Sequence, residues 1–229
     1  MKTLVAIIVA IAATAVALVG AATIWFFMVW DQASLRYRLT YKIDVNGEVH
    51  AGSGVIELTS EDTSNLPLPG VGFSSSAKGE AVVVYLGDGR YLFSLLNNAS
   101  NLPFKPFVAY YKGNKTPVDV TRALRADKPS IELTSDQMPM LVTFANIDDP
   151  ASVREVDPDD FAASFGPGVE LESVMLEITD EPVTVGRVQG VLSWLQDPDV
   201  MENPGWSKLP LKSRRAIGKL LSHFPDLKG

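Results

Sequence analysis

Leu35-Arg36-Tyr37-Arg38-Leu39-Thr40-Tyr41-Lys42-Ile43-Asp44-Val45-Asn46-Gly47 decides the fold. Leu35, Tyr37, Leu39, Tyr41, Ile43 and Val45 fall on one side of an extended chain. Arg36, Arg38, Thr40, Lys42, Asp44 and Asn46 fall on the other. Successive side chains of a strand point to opposite faces, so this period of two predicts a strand with one buried face. Asn46-Gly47 closes it, because that dipeptide accepts the positive φ angles of a type I′ hairpin turn. The return strand is expected over Glu48–Thr59, where Gly52 and Gly54 mark either a bulge or a crowded backbone.

Downstream of this hairpin, Glu61–Gly79 is too polar and too broken by Pro and Gly for a regular element and reads as loop. Ala81–Leu86 and Arg90–Leu96 predict a second hairpin through Gly87-Asp88-Gly89. Phe107–Tyr111, Ile131–Leu133 and Met140–Ala145 are further candidate strands, and Thr121–Ala126 a candidate helical turn. Asp157-Pro158 opens a short helix near 158–165, with Asp157 at the N-cap and Pro158 at the first helical position. Gly166-Pro167-Gly168 ends it. Val169–Thr184 reads as strand, Val191–Leu195 as a last strand or helical turn, and Asp197–Pro210 as loop. Ala216, Ile217, Leu220, Leu221 and Phe224 recur at helical spacing, which predicts a basic C-terminal helix over about 212–224.

Upstream lies an apolar run from Thr3 to Trp30. As a helix of 28 residues it would extend roughly 42 Å, more than a hydrocarbon core of about 30 Å. Trp25, Phe26, Phe27 and Trp30 suit an aromatic belt at the membrane boundary. The expectation is therefore an uncleaved N-terminal transmembrane anchor over 1–31, followed by an extracytoplasmic β-rich domain over 32–229. The rival is a signal peptide cut after Ala22, which would leave the apolar stretch Thr23–Trp30 as a new terminus. Arg36, Arg38 and Lys42 outnumber Lys2 and the α-amino group, and a bare count of positive residues runs against export. Their alternation assigns them to a folded strand instead of a topogenic flank, and the N-terminus is expected inside. The resulting address is the bacterial inner membrane, single-pass, with the C-terminal domain in the periplasm.

Composition bounds the chemistry. The 229 residues hold no cysteine, which excludes disulfides, thiol nucleophiles, iron–sulfur clusters and cysteine zinc sites. A formal net charge of −7 argues against a nucleic-acid partner. The stretch Asp148–Glu202 carries 14 acidic residues against Arg154 and Arg187, whereas Lys208–Gly229 carries six basic residues against Asp226. Such a contrast steers a partner, or the two segments lie against each other, or both are solvated faces.

Candidate chemistry is sparse. His50 and His223 sit in no catalytic constellation, and Gly52-Ser53-Gly54 is no nucleophile elbow. Asp148-Asp149 and Asp157/Asp159/Asp160 invite a calcium reading, but the EF-hand pattern is absent and helix capping accounts for the second group. Gly166-Pro167-Gly168 lacks the following Lys-Ser/Thr of a phosphate loop. Asn98-Ala99-Ser100 and Asn114-Lys115-Thr116 fit the glycosylation acceptor pattern. Pro103-Phe104-Lys105-Pro106-Phe107 is either a recognition ridge or an extended edge plugging a core. No catalytic, cofactor-binding or metal residue is assigned, and no cofactor is expected.

Tyr37-Arg38-Leu39-Thr40, Gly54-Val55-Ile56-Glu57, Gly79-Glu80-Ala81-Val82 and Leu176–Thr184 together resemble uncharacterised, single-span membrane-anchored proteins of bacterial envelopes. The likeness covers most of the exported domain and consists of whole segments, with no functional motif to carry over. It implies an anchored domain and no mechanism. The fold expected is thus α+β: an N-terminal transmembrane helix, then antiparallel hairpins, a short helix near 158–165 and a C-terminal helix. The function expected is a non-enzymatic, membrane-anchored accessory or interaction subunit of an envelope complex. It would touch lipid through residues 3–30 and dock on a membrane protein. A tether raises the local concentration of the domain for such neighbours. The rival is a periplasmic ligand-binding domain or enzyme, cleaved or anchored, with a site built from dispersed carboxylates and hydroxyls.

Overall fold

The structure is a computed structural model that describes residues 12, 14–20, 31–64, 72–113, 115–196 and 211–220. Among the described residues, nine strands form two antiparallel sheets. The first contains β1 (Asp31–Val45), β2 (Glu48–Asp62), β3 (Phe73–Lys78), β6 (Ser130–Glu132) and β9 (Val169–Thr179), in the order β3-β2-β1-β9-β6. The second contains β4 (Val82–Tyr85), β5 (Tyr91–Ser94), β7 (Leu141–Phe144) and β8 (Val153–Val156), in that order. Among the described residues, the helices α1 (Pro117–Asp127), α2 (Phe161–Phe165), α3 (Arg187–Val191) and α4 (Leu211–Ile217) connect or cover them.

The β1–β2 hairpin is the spine. Its register runs unbroken from Val45↔Glu48 to Asp31↔Asp62, with Asn46 and Gly47 both at positive φ in the turn. Every odd residue of β1 from Leu35 to Val45 is buried, as the period of two requires. Burying a large aliphatic or aromatic side chain contributes about 1.5–3 kcal/mol, so this one strand holds much of the core's driving force. Two buried phenols are satisfied inside: Tyr37 Oη donates to the Ala99 carbonyl at 2.8 Å, and Tyr41 Oη meets Ser94 Oγ at 2.7 Å. Burial pushes both phenols above their ordinary pKa.

The inner strands of the second sheet, β5 and β7, are covered on both faces. Val82, Val84, Leu92, Leu141 and Val156 join the core shared with β1. Their neighbours Phe93, Val142 and Phe144 join a separate core with Val188, Trp194 and Ile217. Alternate residues of one strand therefore enter different cores, and the molecule has three layers: first sheet, second sheet, and the C-terminal helical segments. Phe144 anchors the outer core, edge-on to Phe93 at 5.5 Å and to Trp194 at 5.9 Å.

Several expectations are corrected here. The α+β reading gives way to a β-rich domain of two antiparallel sheets with few helices. Among the described residues no helix is long and apolar enough to cross a membrane. Residues 14–20 are helical and exposed, Asp31 at the end of the expected transmembrane anchor is instead the first residue of β1, and the rest of that anchor, apart from residue 12, lies outside the described residues. The short helix begins at Phe161, because Asp160 and not Asp157 caps it by accepting from the Ala163 amide at 3.0 Å. The C-terminal helix spans Leu211–Ile217 and a turn reaches Leu220; residues 221–224 lie outside the described residues. Within Glu61–Gly79, β2 continues to Asp62 and β3 pairs with it. Phe107–Tyr111 is a 3-10 turn and no strand, and β9 stops at Thr179. Thr121–Ala126 belongs to the longer α1, opened by a reciprocal capping box of Thr116 and Asp119.

Candidate functional site

β2 is covered along only part of its outer edge. From Glu57 to Asp62 that edge pairs with β3. At Val55 both backbone groups turn away from β1: the amide donates to Thr184 Oγ1 at 2.9 Å, and the carbonyl accepts from the Thr184 amide at 3.0 Å. Backbone groups of an antiparallel strand alternate in direction, so those of Ser53, Ala51 and Val49 turn the same way. The Ser53 carbonyl accepts from Arg187 Nη1 at 2.6 Å. Among the described residues, no hydrogen-bond partner meets the outward groups of Ala51 and Val49.

The inner face explains why the edge stands open. Gly52 and Gly54 lie opposite Tyr41 and Leu39 and point toward the second sheet. A Cβ on Gly52 would sit 2.4 Å from the Val83 carbonyl oxygen, and one on Gly54 would sit 3.1 Å from a Val82 methyl group. β4 therefore crosses β2 at a distance that only glycine permits. Of the two sequence readings of these glycines, the crowded backbone is the one realised. The register shift of the first sheet lies elsewhere, at Lys42/Ile43 against β9.

This crossing places a cleft of about 580 Å³ beside the open edge. Thr40, Ala51 and Ser53 line one wall; Tyr85, Tyr91 and Val191 line another. The two tyrosine rings lie 5.0 Å apart and tilted by 44°. Arg187 closes one end, held by its bond to Ser53. Its helix, α3, is fixed from below by buried Glu80, which accepts from the Arg187 amide at 2.9 Å and the Val188 amide at 3.3 Å. The arrangement offers backbone donors and acceptors, aromatic faces and a guanidinium. Its described lining includes no histidine or carboxylate.

The residues singled out from the sequence are scattered. His50 Nδ1 lies 3.1 Å from the Tyr85 carbonyl, at the mouth of this cleft. His223 and Asn114 lie outside the described residues. Asp149 caps a 3-10 turn through the Ala151 amide at 2.8 Å, and Asp157 accepts from the Asp159 amide at 3.0 Å. Among the described residues no three His, Asp or Glu side chains gather to hold a metal ion. Asn98 of the first glycosylation triplet turns its side-chain oxygen into the interior without a partner. In the 103–107 segment, Pro103 and Phe107 are buried while Lys105 pairs with Asp136 at 2.7 Å, so the segment plugs the core. On α4, Ala216 and Ile217 are buried in the outer core, and so is Leu220 just beyond it.

Surface carboxylates elsewhere serve as stitches. The Arg122 guanidinium beside Asp31 holds its carboxyl below the usual range, and Lys128 does the same for Asp180. Arg36 pairs with Glu57 at 3.0 Å, and Arg38 with Glu177 at 3.3 Å. Arg187 and Lys42, by contrast, have no carboxylate within 4.0 Å among the described residues. No protein-family model, curated protein or solved structure matches the chain.

Proposed function

We propose that this protein is a non-enzymatic accessory or interaction subunit of a bacterial envelope complex. Its apolar residues 3–30 engage the lipid of the inner membrane, and its β-rich domain works on the periplasmic side. One observation carries the interaction reading: among the described residues no hydrogen-bond partner covers the edge of β2 at Val49 and Ala51, beside an aromatic cleft. A row of unpaired backbone groups is a template for another chain, and soluble domains ordinarily blunt or cover such edges. The hydropathy of residues 3–30 supports the membrane address, and the resemblance to anchored envelope proteins agrees with it.

Gentle extraction of the full chain from native membranes, followed by mass measurement of the purified particle, tests this reading. Reproducible recovery of one stable complex is expected. A lone monomer under several mild detergents would contradict it.

A further inference from the structure

We infer that the open edge of β2 takes an extended segment of a partner protein as an added strand, with an acidic side chain of that segment at Arg187. This deepens the interaction reading and rests on it. Four features converge on the same few residues. The outward amide and carbonyl groups of Val49 and Ala51, and the amide of Ser53, form a ladder with no occupant among the described residues. At about 3.3–3.4 Å per residue, Val49–Ser53 matches roughly five residues of an extended peptide. Main-chain bonds of this kind give affinity in strand addition, and pockets for alternate side chains give specificity.

Three exposed apolar side chains lie along the same edge. Val49 is 52% exposed on the strand itself, Tyr85 is 50% exposed across from it, and Val185 is 74% exposed next to the residue that pairs with Val55. The cleft between them accepts a side chain from every second residue of an added strand. Tyr85 and Tyr91 supply aromatic surface there.

Charge fixes the class of partner and its placement. Arg187 stands at the closed end of the ladder without a carboxylate, and Lys42 lies opposite Ala51 on the outer face, also without one. The hairpin end carries Asp44 and Glu48. An acid on the incoming segment is therefore attracted at the Arg187 end and repelled at the hairpin end. A guanidinium held in place by a backbone carbonyl binds a carboxylate with little further ordering.

The experiment is selection of a displayed library of random peptides, about ten residues long, on the full chain in mild detergent. Affinities of the enriched peptides are then measured for wild type, Ala51→Pro and Arg187→Glu. Proline at position 51 removes an outward amide and leaves the β1 ladder intact, a change an edge strand tolerates. The expected result is enrichment of acidic peptides that compete for one site, lose binding to Ala51→Pro and weaken at least about tenfold with Arg187→Glu. Basic replacement of the peptide's acid should restore binding to Arg187→Glu, which keeps the test decisive if the proline variant fails to fold. Absence of enrichment over an unrelated bait, or peptides indifferent to both substitutions, would overturn the inference. So would a wild-type dimer that Ala51→Pro dissociates, because a second copy would then own the edge. An intact membrane complex recovered with both variants would leave the interaction reading standing and remove this edge from it.

Discussion

The two sheets face different surroundings, and the difference separates what holds the molecule together from what it offers to others. The first sheet is wet on one face: even residues of β1 pair with acids or meet water while odd ones fill the core. In the second sheet the inner strands β5 and β7 are covered on both faces, and each feeds two cores. Strands buried on both faces have little surface to spare for recognition, and the second sheet reaches the cleft through the β4–β5 hairpin end, at Tyr85 and Tyr91. A sheet buried once keeps a solvated face and an edge, and the open part of that edge is where the cleft lies.

The comparison predicts its largest effect at Phe93, fully buried on the outer side of the second sheet. Phe93→Ala should cost about 3–5 kcal/mol in urea unfolding, whereas Lys42→Ala on the solvated face should stay within about 0.5 kcal/mol. Similar losses at both would erase the contrast. Next in size is the crossing of β2 and β4. Gly52→Ala should cost about 1–3 kcal/mol, since its Cβ meets a backbone carbonyl that cannot swing aside. Gly190→Ala, across the cleft in α3 with open space around it, should be neutral or stabilising by up to about 1 kcal/mol.

A smaller effect sharpens how the sheets are joined. Tyr41→Phe removes the bond to Ser94 and should cost about 1 kcal/mol at neutral pH. The sign reverses in alkali. Because burial raises the folded pKa of Tyr41, the unfolded chain loses this proton first, and stability falls as pH climbs above about 10. The phenylalanine variant lacks that loss, so its urea midpoint should decline less steeply there. The smallest effect belongs to the solvated surface. Arg122→Ala should cost under about 1 kcal/mol at pH 7. Asp31 has a depressed folded pKa, so its contribution is present above the unfolded value near 3.8 and fades as pH falls through the folded one. Wild type and variant should therefore converge in strong acid.

The same contrast decides what could be read from residues alone. β1 was legible because water on one face forces alternation, and Asn46-Gly47 announced its turn. The runs around β4 and β5 were legible as strands, but not as strands serving two cores, since continuous apolarity carries no face information. β3, with its Ser74-Ser75-Ser76 run, was missed because an exposed edge strand needs no apolar face. β8 was missed because Val153-Arg154-Glu155-Val156 is too short to show a period. The start of α1 is written in Thr116-Pro117-Val118-Asp119, which sets cap, proline and acid in helix-opening order. The reading of an α+β fold led by a spanning helix gave weight to helical segments that turn out to be short caps and connections.

The cleft was the least legible feature. Its walls come from Thr40, Gly52, Tyr91 and Arg187, which only the three-layer stacking brings together. A signal did exist: Gly52 and Gly54 occupy inward positions where the hairpin pattern calls for large apolar residues. Two such absences in register mean that another backbone lies against the strand. What that backbone displaces, and which edge it leaves bare, depends on contacts far apart in the chain.

Residue-resolved amide hydrogen exchange along β2 tests the central claim that this edge is bare. The amides of His50 and Gly52, turned toward β1, should be strongly protected, while those of Val49 and Ala51 exchange at nearly unprotected rates. Equal, slow exchange at all four would mean that the edge is already covered, and the docking account would fail.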